Sequence, residues 1–130
     1  MKVLQPPGWA PPRGYANGVA AAGTMVFVAG QIGWNEQCHF DSDDLVAQVR
    51  QALLNVRAVL AEAGARPEHV VRMTWYVTDK REYLARGREI GAAYREVIGS
   101  YTVAMSAVEV SALMEERARV EIEVTAVVPA

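Results

Sequence analysis

The sequence predicts one α+β domain in which a mixed β-sheet carries two helices on one face. Three observations lead there. An apolar stripe at three- and four-residue steps runs through residues 44–63, a second helical segment spans 80–98, and four β-rich runs lie around them, at 24–32, 70–78, 103–111 and 118–128. The order strand, helix, strand, helix, strand, strand lets both helix stripes bury against the same sheet. With 130 residues, 52% of them hydrophobic, the chain can build one real core. All of 1–130 is assigned to that single domain, with a Pro-rich arm at 1–14.

In the arm, QPPGWAPPRG (5–14) holds two Pro-Pro pairs, which remove backbone donors and fix φ, so an extended or turning segment is expected rather than a helix. Trp9 within it is expected to pack on its own domain or, alternatively, on another subunit. TMVFVAGQI (24–32) is rich in β-branched and aromatic residues and reads as a strand, with room for another short strand before residue 24. Gly30, near its end, marks a bulge or a place where backbone approaches something closely. GWNEQCHFDSDD (33–44) is a polar loop.

The helix at 44–63 places Leu45, Val49, Ala52, Leu53, Val56, Val59, Leu60 and Ala63 on one stripe. Ser42 or Asp43 can cap its start, Gly64 can take the left-handed conformation that stops it, and Pro67 cannot continue it. In VVRMTWYVT (70–78), Val71, Met73, Trp75 and Val77 share one face and Arg72, Thr74 and Tyr76 the other. Asp79 and Glu82 form a capping box that opens the second helix. Gly87 and Gly91 sit four apart inside it, a spacing that permits close packing on a sheet. VAMSAVEV (103–110), with Glu109 as its one charge, reads as a buried strand. LMEERA (113–118) reads as the hairpin loop to the last strand, where Glu121, Glu123 and Thr125 oppose Val120, Ile122, Val124 and Ala126. The second sheet face therefore carries Thr74, Tyr76, Glu121 and Thr125 among apolar residues, a mixture that points to subunit contact.

Composition excludes several classes. The formal net charge is −2 and the basic residues are interrupted by acids, which disfavours a nucleic-acid partner. Cys38 is the only cysteine, so neither an intramolecular disulfide nor a multi-thiolate metal site can form. The N-terminus lacks a signal-type apolar stretch and no run approaches a membrane span, so no membrane partner and a cytoplasmic location are expected. There is no P-loop, dinucleotide fingerprint or HExxH. His39 and His69 have no metal-ligand spacing, and a Cys38–His39 pair on a loop is a weak nucleophilic arrangement. Glu121 and Glu123 are the best acid/base candidates by pattern, although alternating acids on a strand ordinarily face solvent.

Five segments together resemble the Rid (reactive intermediate deaminase, YjgF) family: FVAGQIGW (27–34), QVRQALLNVRAVLAEAGA (48–65), VVRMTWYVTD (70–79), AMSAVEVSAL and ARVEIEVTAV. The strongest marks are the strand ending Gly30-Gln31-Ile32, the helix residues Gln48, Ala52, Leu53, Asn55, Ala58, Val59 and Leu60, and the last Val-Glu-Ile-Glu strand. The resemblance implies a fold like bacillus chorismate mutase, a homotrimer joined through the other sheet faces, clefts between neighbours, and hydrolysis of enamines or imines with no metal or organic cofactor. It implies that Glu121 positions the attacking water and that Tyr15, Gly30 and Gln31 line the cleft. The family's arginine, which grips the substrate carboxylate as a bidentate pair, corresponds to Met105 here. Methionine cannot replace that contact. Either the ligand carries no carboxylate there, or another cation serves, with Arg13 the first candidate and Arg81 and Arg50 weaker ones. Met105 with Trp34 or Trp75 suits a larger, flatter, more apolar ligand. The functional expectation is thus an imine or enamine deaminase lacking the usual carboxylate clamp, the alternative a non-catalytic small-ligand-binding or chaperone-like trimer. A ribonuclease reading fits an acidic chain poorly.

Overall fold

The computed structural model describes residues 1–100 and 102–130. A four-stranded sheet in the order β3-β6-β4-β5 forms its centre, built from β3 (Thr24–Ile32), β4 (Val70–Val77), β5 (Ala104–Glu109) and β6 (Val120–Val128). β6 runs antiparallel to both β3 and β4, while β5 lies parallel to β4 at the edge. Three helices, α1 (Leu45–Glu62), α2 (Lys80–Ala85) and α3 (Gly87–Val97), complete the domain. The core lies between α1, α3 and one sheet face: Val49, Leu53, Val56 and Leu60 meet Met73, Trp75, Ile122 and Val124 there. This is the α+β arrangement expected from the sequence.

The stripe of α1 buries Leu45, Val49, Ala52, Leu53, Val56 and Leu60, but Val59 and Ala63 stand exposed. Its cap is Asp44 rather than Ser42 or Asp43. The Asp44 carboxylate accepts from the Ala47 N–H at 3.0 Å, and Ser42 Oγ in turn accepts from the Asp44 N–H. Gly64 adopts φ +67 and ends the helix as expected.

Gln48 is the one buried polar side chain among the described residues, 1% exposed. Its amide donates to the carbonyls of Ser42 and Arg117 and accepts from the Arg119 N–H. About two turns on, Asn55 donates to the carbonyls of Ile32 and Trp34. These two amides tie α1 to the end of β3 and to the entry of β6.

Several sequence expectations are corrected. The connection from β5 to β6 is not a hairpin: β6 inserts between β3 and β4, so residues 110–119 cross the end of β4. The Val110 N–H donates to the Val77 carbonyl and the Thr78 N–H to that of Arg119. β5 is an exposed edge rather than a buried strand, with Ser106 to Glu109 all exposed. The helix expected over 80–98 is divided at Arg86, which closes α2 and opens α3 immediately before Gly87. Asp79 caps α2 by accepting from the Glu82 N–H, but the Glu82 carboxylate goes to Arg119, so the box is one-sided. A register shift between Val70 and Arg72 puts Val70, not Val71, in the core. The arm also contains a strand: β1 (Lys2–Leu4) pairs antiparallel with β2 (Gly18–Ala20). Trp9 is 61% exposed and does not pack on its own domain.

Replacing Gln48 by leucine keeps the volume and leaves one N–H and two carbonyls without their partner. The expected loss is about 2–4 kcal/mol in a urea titration. Arg86 donates to both Asp44 and Glu89, holding each carboxyl below its ordinary range chiefly through those hydrogen bonds. A depressed folded-state pKa contributes stability above the unfolded value and loses it as pH falls. Arg86→Ala should therefore lower stability slightly at pH 7, the pairs being solvated, and the gap to wild type should close as falling pH protonates both carboxylates.

Candidate active site

A cavity of about 790 Å³ opens between the arm, the edge strand β5 and helices α2 and α3. Met105 and Ala107 pair in register with Met73 and Trp75, which places all four on the helix side of the sheet. Met105 therefore turns into the cavity beside Trp75. The arm reaches it because the Ala16 N–H donates to the Val103 carbonyl at 2.7 Å and Ala16 bridges to Ala104. Gly14, at φ +78, makes the turn that delivers Arg13 and Tyr15 to the cavity wall.

Trp75 is 2% exposed and its Nε1–H has no hydrogen-bond partner among the described residues. Tyr83 meets its ring edge-on at 6.3 Å between centroids, and Tyr94 lies tilted at 6.4 Å. Burial raises the Tyr83 phenol and pushes that of Tyr94 up to about 12, so both stay neutral donors. Among the described residues Arg13 and Arg95 are the charged members of the lining, and no carboxylate accompanies them. The other sequence-stated cations stand elsewhere: Arg50 pairs with Glu96, and Arg81 is exposed outside the lining.

A second group gathers at the β3–β6 pair. The register slips between Val28 and Gln31, leaving Ala29 and Gly30 without partners on β6, and Gln31 Nε2 donates back to the Ala29 carbonyl at 3.1 Å. Gly30 is both things its position announced, a bulge and a close approach: a Cβ there would stand 2.3 Å from Glu121 Oε2. Glu121 makes no ion pair or side-chain hydrogen bond among the described residues, whereas Glu123 accepts from the Tyr76 hydroxyl at 2.8 Å. That bond is the main reason the Tyr76 phenol is raised. The two acids are thereby distinguished, one free and one engaged.

One protomer thus brings together Arg13, Tyr15 and Met105, and separately Gly30, Gln31 and Glu121. Glu121 pairs with Tyr76 on the face opposite Met105, and β3 and β5 are opposite edges of the sheet. Trp34 joins neither group. It packs on Phe40 at 5.8 Å, and its carbonyl is held by Asn55. His69 Nδ1 accepts from the Arg66 N–H, and Cys38 lies exposed in the loop at φ +63. Among the described residues no three His, Cys, Asp or Glu side chains converge as metal ligands.

Sequence reasoning missed Arg95, Tyr83 and Tyr94 as cavity residues. It also misjudged the glycine pair. A Cβ on Gly87 would meet nothing within 4 Å, and one on Gly91 would meet only the Arg95 side chain, so the pair opens the cavity instead of drawing α3 onto the sheet. The signal was present: Gly87, Gly91 and Arg95 recur at four-residue steps on one helix face.

Residues 8–128 match the family described as endoribonuclease L-PSP. A RutC family protein of Synechocystis is 34% identical over 132 residues, covering 99% of this chain and 98% of that one. The 2-iminobutanoate/2-iminopropanoate deaminase of Salmonella typhimurium is 33% identical over 113 residues, 87% of this chain and 86% of its own. A crystal structure of a conserved Rid family protein from Yersinia pestis superposes with a TM-score of 0.83 at 34% identity, covering 98% of each chain. The chain belongs to the Rid (YjgF) family. Escherichia coli TdcF with bound serine, at 30% identity and a TM-score of 0.70 over 98% of this chain and 99% of that one, shares the fold. Some members of the family are named as imine deaminases. No helix among the described residues is long and apolar enough to cross a membrane.

The Gly30–Glu121 contact is directly testable. In Gly30→Ala the new methyl meets the end of a flexible side chain, so stability should change by less than about 1 kcal/mol while the carboxylate swings to another rotamer. A crystal structure of the variant with Glu121 unmoved would contradict the contact.

Proposed function

We propose that this Rid family member hydrolyses a reactive imine or enamine in a cleft shared between subunits, on a substrate that does not use a guanidinium at position 105. The observation that carries the reading is the division of the site. Among the described residues the cavity beside Met105 has no acid in its lining, and the one strand carboxylate without a partner, Glu121, lies on the opposite face, on β6 beside the far edge strand β3. Only a second copy can bring Glu121 to Tyr15 and Met105. Joining one edge of a protomer to the other edge of the next is a head-to-tail association, which closes into a ring; the family resemblance makes that ring a trimer. The open sheet face supports the same reading, since it exposes Phe27 (71%), Met25 and Val108, an apolar surface in need of cover.

In the assembled cleft Glu121 takes a proton from water as the oxygen attacks the C=N carbon. The electron pair of the C=N bond moves to nitrogen, which gains a proton. A second proton reaches nitrogen, the C–N bond breaks as the carbinolamine hydroxyl gives up its proton, and ammonia leaves with the keto compound as the other product. An enamine first takes a proton on carbon to become the imine. Backbone N–H groups beside Gly30, outside the β3–β6 register, are placed to bind charge that develops in the transition state. The sequence relatives named as deaminases act in their printed names on 2-iminobutanoate and 2-iminopropanoate. Met105 argues that this chain prefers a different substrate. Neither histidine is among the residues that line the cavity beside Met105.

Met105 also favours a second reading, a trimer that binds a small apolar ligand without converting it. Imines generated in situ from a panel of amino acids, followed by ammonia release, separate the two. Turnover above buffer is expected, with Glu121→Gln reducing kcat by about 10²–10⁴. Full activity in that variant would remove the role of Glu121. No turnover on any imine, with a ligand held in the cavity, would leave the binding reading.

A further inference from the structure

The cavity has two properties that the missing arginine alone does not explain: it is large and aromatic, and its charge is entirely positive. Trp75, Tyr83 and Tyr94 form an aromatic wall, Met105 lies beside it, and the indole N–H of Trp75 is buried without an acceptor. At about 790 Å³ it is far larger than a three- or four-carbon imino acid requires and falls in the range of pockets that enclose drug-sized molecules. Gly87 and Gly91 contribute to that volume by presenting no side chain.

Arg95 stands where it can replace the lost clamp. Helix side chains lean toward the N-terminus over the preceding turn. With no side chain at Gly91, the Arg95 guanidinium folds back across that turn, its Nη1 3.2 Å from where a Gly91 Cβ would be. It makes no ion pair among the described residues, and neither does Arg13 across the cavity. Two unneutralised guanidiniums facing a space with no carboxylate favour an anion, and guanidinium binds carboxylate in a bidentate fork.

We propose that the ligand's carboxylate is held by Arg95, assisted by Arg13, while a planar apolar body lies against Trp75, Tyr83 and Tyr94. This rests on the cavity being half of the reaction site, and it names the substrate class as imino or enamino acids with an aromatic or comparably large side chain. The clamp has moved from the edge strand to α3, and the space vacated at position 105 accommodates the larger side chain.

The test uses stable keto acids, so it does not depend on turnover. Calorimetric titration of the full chain with phenylpyruvate, pyruvate and phenylacetone compares the whole ligand with one lacking the ring and one lacking the carboxylate. Phenylpyruvate is expected to bind at least about tenfold more tightly than either. Arg95→Ala should weaken phenylpyruvate about tenfold or more and leave phenylacetone unchanged, with Arg95→Lys intermediate. Gly87→Leu should narrow the cavity and weaken phenylpyruvate binding while the melting temperature holds, since a Cβ there meets open space. Arg88→Ala, on the same helix but outside the lining, should change nothing. Pyruvate binding as tightly as phenylpyruvate, or phenylpyruvate affinity unchanged in the Arg13→Ala/Arg95→Ala double variant, would overturn the proposal. If binding follows this pattern but no imine is hydrolysed, the substrate class stands as a ligand class and the deaminase reading fails alone.

Discussion

Gln48 spends three hydrogen bonds on backbone groups that no secondary structure would otherwise satisfy: the Ser42 and Arg117 carbonyls and the Arg119 N–H. It does so from inside the core, where an unpaired amide would be costly. The contact requires α1 to lie almost on the backbone at the end of β3, and Gly33 permits this; a Cβ there would stand 2.5 Å from Gln48 Cβ and 2.7 Å from its Cα. Asn55 repeats the attachment about two turns later through Ile32 and Trp34. Because α1 fixes the exit of β3 and the entry of β6 together, the β3 bulge and the first acid of β6 are held in one relation. Gly30 can then lie against Glu121, and the chain's one unengaged strand acid has a defined place.

From that constraint follows a division of labour across the sheet. β6, inserted between β3 and β4, shows Glu121 and Glu123 to the open face and Val120, Ile122 and Val124 to the helices. β5, displaced to the edge, turns Met105 and Ala107 toward α3 and leaves its outer side to the arm. The acid and the aromatic cavity lie on opposite faces of the sheet in one protomer, and the open face that carries the acid also exposes Met25, Phe27 and Val108. The break between α2 and α3 belongs to the same design, since it ends one helix at Arg86 and begins the next with a residue that has no side chain to occupy the cavity.

Much of the scaffold was legible because its signals are local. The α1 stripe, the alternation in β4 and β6, the stop at Gly64 and the bulge at Gly30 each depend on a few neighbouring residues and on rules of period and φ. What was misread involved partners distant in the chain. A run such as VAMSAVEV has the same alternation whether it lies mid-sheet or at an edge, so its exposure could not be read from its pattern. The loop at 113–118 looked like a hairpin because adjacent strands usually pair, and only the insertion of β6 beside β4 shows that these do not. Asp44 caps α1 in place of its neighbours because the helix begins at Leu45, one residue later than its sequence pattern indicates; Arg86, 42 residues on, also reaches the Asp44 carboxylate.

The sequence by itself determined the fold class, the family and the candidate acid at Glu121, since each is written in a short motif or a period. It also held, unread, the four-residue spacing of Gly87, Gly91 and Arg95. The tertiary structure decided which residues share a space. It set Trp75, Tyr83 and Tyr94 around one cavity, put Trp34 on Phe40 instead, and placed Glu121 and Met105 on opposite faces of the sheet. The physical reason is that strand order and the face of each side chain are fixed by how α1 and β6 pack together, and a linear pattern carries no record of which edge a strand will occupy.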